Sequence, residues 1–133
     1  MRFECLSGCI KCCEQKGFVY LSEDDLARLA AFKGMRKSAF ATKYIVRTKH
    51  TVRFRKPRDK QCPFLATNGC EVHPAKPTQC STFPFWPELL DDPKELKAAS
   101  RYCPGIGRGK LVNITFARKE AEAMRAAVPH QYQ

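Results

Sequence analysis

Seven of the nine prolines in this 133-residue chain fall between residues 57 and 93: Pro57, Pro63, Pro74, Pro77, Pro84, Pro87 and Pro93. Each removes a backbone donor and blocks the helical turn before it, so no long helix fits in this stretch. An irregular segment of that length is costly to order inside a compact domain. Something other than secondary structure must hold it. The same segment carries Cys62, Cys70 and Cys80. Metal ligation by such cysteines adds a binding free energy on the order of 10 kcal/mol directly to folding.

There are eight cysteines in all. Cys5, Cys9, Cys12 and Cys13 form C-x3-C-x2-C-C in the stretch CLSGCIKCC, and Cys103 stands alone near the end. Short spacing lets several thiolates converge on one ion or cluster without closing a long loop. The first five residues lack the apolar core of an export signal, and no apolar run approaches the ~20 residues that span a bilayer. The expected compartment is the cytoplasm, where disulfides are rare. Buried cysteines do act as small hydrophobes, but as such they have no reason to cluster. Metal ligation is the expected use.

The spacing disfavours a simple zinc finger. Such fingers pair two C-x2-C knuckles, or one knuckle with a close histidine pair. Here Cys62, Cys70 and Cys80 are too far apart for a second knuckle, and His50, His73 and His130 form no H-x3–5-H pair. C-x3-C-x2-C is also the pattern of radical S-adenosylmethionine enzymes, whose barrel this chain is too short to build. Side chains of adjacent residues tend to point apart, so Cys12 and Cys13 need not face the same metal.

Around these cysteines the chain reads as mostly helical with little sheet. Ser22 and Asp25 spell a capping box, with Leu21 and Leu26 as its staple, and Glu23, Asp24 and Asp25 complement the helix dipole. Leu26, Leu29 and Ala30 mark the buried face, and Gly34 the stop. A shorter helix is expected from Ser38 to about Tyr44, and Thr51 to Arg55 alternates as a strand. Asp92-Pro93-Lys94-Glu95 starts a helix that ends near Tyr102. The last helix begins around Thr115, buries Ala117, Ala121, Met124 and Val128, and stops at Pro129. The fold class expected is α+β: one small domain over residues 1–133, with a short strand or hairpin and a proline-rich loop organised around a cysteine metal site.

The formal charge is +11. Metal ligands are thiolates, so part of this excess offsets the site. Arg47 to Lys60 holds seven basic residues and one acid, with Arg53 and Arg55 flanking Phe54. Such a run can form a nucleic-acid surface, but a solvated strand face near a negative metal site is the preferred reading. Gly105-Ile106-Gly107-Arg108-Gly109-Lys110 lacks the trailing Ser or Thr of a phosphate-binding loop and reads as a flexible turn. Phe64, Phe83, Phe85 and Trp86 lie near the cysteines in sequence, where they would form either plain core or an apolar shell around a metal. His73 is either an accessory ligand or a turn residue. No catalytic constellation stands out beyond the cysteines.

The stretches CLSGCIKCC, LSEDDLARLAAFKGM, RKPRDKQCPFL, CEVHPAKPTQCSTFPFWPEL and YCPGIGRGKLV, in that order, resemble the YkgJ-type cysteine-cluster proteins, a CxxCxxCC-type family described as chelating zinc or iron. The resemblance covers most of the chain. It implies ligand roles for Cys5, Cys9, Cys12, Cys13, Cys62, Cys70, Cys80 and Cys103. Two positions depart from the family pattern: Lys76 stands before Pro77, and Ser81 after Cys80, where arginine is common.

Three functions follow as expectations. The first is an iron–sulfur or iron-binding protein serving as a redox module or metal carrier, with an unknown protein partner. The second is a structural zinc module that binds a protein or RNA. The third is an accessory part of a protein-modifying methyl-transfer enzyme, since the flagellin lysine N-methylases carry a similar cluster. Sulfur ligation suits both zinc and iron–sulfur clusters. Metal ligation is expected to join the N-terminal cysteines to the proline-rich loop and Cys103, through one shared site or two adjacent ones.

Overall fold

The structure is a computed structural model that describes residues 1–5, 11, 18–55, 62–66 and 69–132. A short strand, β1 (Arg2–Phe3), comes first. Helix α1 (Glu23–Phe32) then begins on the capping box: the Ser22 hydroxyl accepts from the Asp25 amide, and the Asp25 carboxylate accepts from the Ser22 amide. It buries Asp25, Leu26, Leu29 and Ala30. Its end turns on Gly34, whose φ of 67° lies in the left-handed region that glycine enters without strain. Helix α2 (Lys37–Tyr44) runs directly into β2 (Ile45–Arg47), which pairs antiparallel with β3 (Val52–Phe54). The register sets Ile45 opposite Phe54 and Arg47 opposite Val52. The strand expected at Thr51–Arg55 is thus present as Val52–Phe54, and its partner is the short strand that continues from α2.

The proline-rich stretch holds only short elements. A small ladder pairs β4 (Leu65–Ala66) with β5 (Gly69–Cys70). A 3-10 turn at His73–Ala75 leads to α3 (Thr78–Thr82) and α4 (Pro87–Asp91), each five residues long. Helix α5 (Pro93–Ser100) is capped by the Asp92 carboxylate, which accepts from the Lys94 amide at 2.9 Å. Helix α6 (Ile114–Ala127), capped by Asn113, buries Ala117, Ala121 and Met124, and Val128 just past its end is also buried. Pro129 ends it and opens a final 3-10 turn, Pro129–Gln131.

The stretch from Gly105 to Lys110 corrects the flexible-turn reading. Residues Ile106–Leu111 form β6, which pairs antiparallel with β1. The glycines make this pairing feasible. A Cβ on Gly105 would sit 2.1 Å from the Glu4 carbonyl oxygen, and one on Gly109 2.7 Å from the Glu4 Cβ. The two backbones approach only because nothing projects between them.

The fold is therefore α+β and mostly helical, with three separate two-stranded sheets among the described residues. One apolar cluster gathers Leu21, Leu26, Leu29, Phe40, Ile45, Phe54, Phe64 and Val72 from α1, α2, the β2–β3 hairpin and the start of the proline-rich segment. Phe85, Leu89, Ala99, Ala121 and Met124 are buried where α4, α5 and α6 meet. Polar contacts join the two regions. Asp25 on α1 accepts from the amide and hydroxyl of Thr78 at the start of α3. No described helix is long and apolar enough to cross a membrane.

Candidate metal centre

Three cysteines from three distant segments line one cavity of about 400 Å³: Cys5, Cys80 and Cys103. The local structure explains each placement. Cys5 lies one residue past the end of β1, and the amide of the intervening Glu4 donates to the Gly105 carbonyl at 3.0 Å. Cys103 lies just past α5, with its amide donating to Ala99 O at 3.0 Å. The β1–β6 pairing sets Phe3 opposite Ile106 and so carries Cys5 to the Cys103 side of the molecule. Cys80 sits on α3, where Pro77 supplies the first turn's acceptor for its amide. Cys80 and Cys103 are half-buried, and Cys5 is exposed.

Phe3, Phe83, Phe85 and Phe116 line the cavity. Phe85 meets Phe3 and Phe116 edge to face, both at 5.6 Å between centroids. Phe83 packs against Trp86 and stacks on Tyr102. Phe83 and Phe85 thus pack against neighbouring rings while lining the cavity. Phe64 belongs elsewhere: it packs with Phe40, Tyr44 and Phe54 in the first cluster.

Lys11 and Lys76 also line the cavity, with Glu4 as its described carboxylate. Two ammonium groups thus share the cavity lining with three cysteine side chains. Lys76 and Ser81, the two departures from the family pattern, both border this cavity. His73 is exposed, outside the described lining of the cavity, and its Nε2 lies 3.5 Å from the Lys76 ammonium.

Cys62 and Cys70 are placed differently. Both are half-buried against the first apolar cluster, and Cys70 pairs with Leu65 in the β4–β5 ladder. Neither is among the described residues lining the cavity. Cys9, Cys12 and Cys13 lie outside the described residues, as do Lys56, Arg58 and Lys60 of the basic run. Among the described residues, no three His, Cys, Asp or Glu side chains are grouped to hold a metal ion. The donor chemistry at the cavity nonetheless suits a sulfur-loving metal: three thiols line it, from Cys5, Cys80 and Cys103, and Cys5 begins the N-terminal cluster in sequence.

The basic strand is used within the fold. The Arg53 guanidinium lies 3.9 Å from the Phe18 ring centroid. Arg55 donates to Ile45 O at 3.0 Å. Arg47 forms a two-pronged pair with Glu23, to which Lys37 adds a third contact, and these cations pull the Glu23 carboxyl down to about 2.

Two residues that shape the site were not visible as such in the sequence. Asp25 reads there as a capping residue, yet its carboxylate also holds Thr78. Gln79 carries no signal at all, although its side chain reaches the segment that follows the N-terminal cysteines.

Fold and cavity together define a cysteine-rich α+β domain with sulfur donors from both ends of the chain. The CxxCxxCC family, described as a putative zinc- or iron-chelating domain, matches residues 4–104, and the chain belongs to it. The match runs from Glu4 to Pro104 and so takes in all eight cysteines. No solved structure matches the chain.

Proposed function

We propose that this protein binds iron, as a cluster or as ions, through cysteine thiolates and serves as a redox module or metal carrier for a protein partner. The observation that carries this reading is the meeting of Cys5, Cys80 and Cys103 at one cavity that phenylalanines also line. These residues come from just after β1, from α3 in the proline-rich segment and from just after α5. No feature of a purely structural core requires three cysteines from such separate places. The family description supports metal binding by naming zinc or iron.

In this reading Cys5, Cys80 and Cys103 hold the metal together with donors from the N-terminal cluster. Lys11 and Lys76 offset thiolate charge, and the phenylalanines limit water access, which tunes a metal–sulfur site. A bound iron centre would supply one-electron chemistry or a transferable ion. Cys62 and Cys70 would serve a neighbouring site or the same one with a shift of their loop. A reducing compartment, the cytoplasm, is where such thiols stay available.

Purification without oxygen, followed by metal analysis and a visible spectrum, tests the proposal. Iron with acid-labile sulfide and a brown colour is the expected result. Colourless protein with stoichiometric zinc would overturn it in favour of a structural zinc module.

A further inference from the structure

The segment that follows the N-terminal cysteines is held between two neighbours. Val19 O accepts from the Phe54 amide, and the Leu21 amide donates to Val52 O, so one edge of residues 18–21 bonds to β3. Tyr20 bridges Arg53 in this antiparallel contact. Backbone groups of alternate residues point to opposite edges of a strand. The Phe18 carbonyl and the Tyr20 amide therefore face away from β3, where an isolated edge would leave them to water.

Gln79 occupies that edge. Its Oε1 accepts from the Tyr20 amide at 3.0 Å, and its Nε2 donates to the Phe18 carbonyl at 3.2 Å. A primary amide carries one acceptor and two donors, and so can match both groups at once. The side chain thus stands in for a missing strand. Its own backbone is also anchored: the Trp86 indole N–H donates to Gln79 O at 2.9 Å. The next residue is Cys80, which lines the cavity.

One side chain therefore ties the segment continuous with Cys5 to Cys13 to the helix that presents Cys80. We infer that Gln79 is a positioning residue for the metal centre, holding the helix that presents Cys80 against residues 18–20, which follow the N-terminal cysteines in sequence. The inference rests on the metal reading above. Asp25 holds the same helix from the other side through Thr78, but it reaches no residue of the 18–20 segment. Among the described hydrogen bonds, the Gln79 carboxamide alone links residues 18–20 to the helix that carries Cys80.

The test uses the full chain, loaded anaerobically with zinc or ferrous iron, and reads the dissociation constant by chelator competition. Gln79→Glu keeps the acceptor for Tyr20 but sets an oxygen against the Phe18 carbonyl. Gln79→Met keeps the length and loses both bonds. Leu89→Ala cuts a buried side chain on α4 and controls for general destabilisation. Changes to groups that orient ligands typically cost ~10–100-fold in metal affinity, and that is the loss expected for both Gln79 variants. Leu89→Ala is expected to lower the unfolding midpoint and leave the affinity in place. Gln79 variants with unchanged affinity would overturn the inference while the metal reading stands. An unsubstituted protein that takes up neither metal would overturn the metal reading, and this inference with it. Should the variants fail to fold, amide exchange in the unsubstituted protein decides. Protection of the Tyr20 amide should fall when a chelator strips the metal, and unchanged protection would overturn the clamp.

Discussion

The Asp25 carboxylate and Thr78, 53 residues apart in sequence, are joined by two hydrogen bonds: Asp25 Oδ1 accepts from the Thr78 amide at 3.1 Å and from its hydroxyl at 2.7 Å. The same oxygen accepts from Arg28 at 2.7 Å, while Oδ2 completes the capping box with the Ser22 amide. Arg28 continues the chain by donating to the Lys76 carbonyl. A fully buried carboxylate is tolerated here because each of its oxygens has donors. The first helix and the helix that carries Cys80 are thereby fastened together.

Asp25→Asn should destabilise the protein by about 1.5–3 kcal/mol, the worth of hydrogen bonds to a charged group. Burial pushes the Asp25 carboxyl up, but hydrogen bonds from Ser22, Thr78 and Arg28 outweigh it and hold the group below its usual range. A lowered folded pKa contributes stability that is present above the unfolded value, ~3.9, and lost as pH falls through the folded value. The advantage of the unsubstituted protein over Asp25→Asn should therefore be steady near neutrality and shrink in acid below about pH 4. Denaturant unfolding of both proteins from pH 7 to pH 2 measures it. An advantage that grows on acidification would contradict this account.

Cys80→Ser and Cys103→Ser should each lower metal content and destabilise the cavity region by more than ~1–3 kcal/mol, the cost of a poorly satisfied buried polar group alone. Cys9→Ser should act on the same region if the N-terminal cluster completes the site. Metal analysis with thermal unfolding separates these outcomes. Normal metal content in Cys80→Ser would remove Cys80 from the ligand set.

Gly105→Ala and Gly34→Ala should differ sharply. A Cβ at Gly105 meets the Glu4 carbonyl at 2.1 Å, so the β1–β6 contact must open and carry Cys5 away from Cys103. Overpacking of this kind costs about 1–3 kcal/mol or more, and metal content should fall with it. At Gly34 there is open space, and only the positive φ opposes a side chain. Its cost should be about 1 kcal/mol, with metal content unchanged. Equal metal content in the two variants would contradict the role given to the β1–β6 contact.

Amide hydrogen exchange across residues 57–93, with and without chelator, asks what orders the proline-rich segment. Its described elements are a two-residue ladder and helices of five residues, too short to persist alone. Exchange should accelerate there when the metal is removed. Equal protection in both states would show that Asp25, Gln79 and the aromatic packing order the segment without metal.

Local chemistry was legible from the sequence wherever a rule acts within a few residues. The Ser22–Asp25 box, the Gly34 stop, the Asp92 cap and the buried face of α6 all appear where short-range pattern placed them. Proline likewise excluded a long helix between residues 57 and 93, because its missing amide acts at its own position. The CxxCxxCC family was legible for the same reason, as cysteine spacing is a property of the chain alone.

What the tertiary structure decided were the relations between segments. Gly105 to Lys110 became a strand because β1 was available to pair with it, and glycine allowed the approach. Phe64 and Phe85, similar neighbours of cysteine in sequence, went to different clusters because their backbones face different packing surfaces. Cys80 and Cys103 reached the cavity while Cys62 and Cys70 packed against the first cluster, a sorting that spacing does not encode. Gln79 gained its place only when residues 18–20 presented a bare edge beside α3. An unpaired amide and carbonyl carry no mark in the sequence, since which backbone groups lack a partner is settled only after the chain has folded.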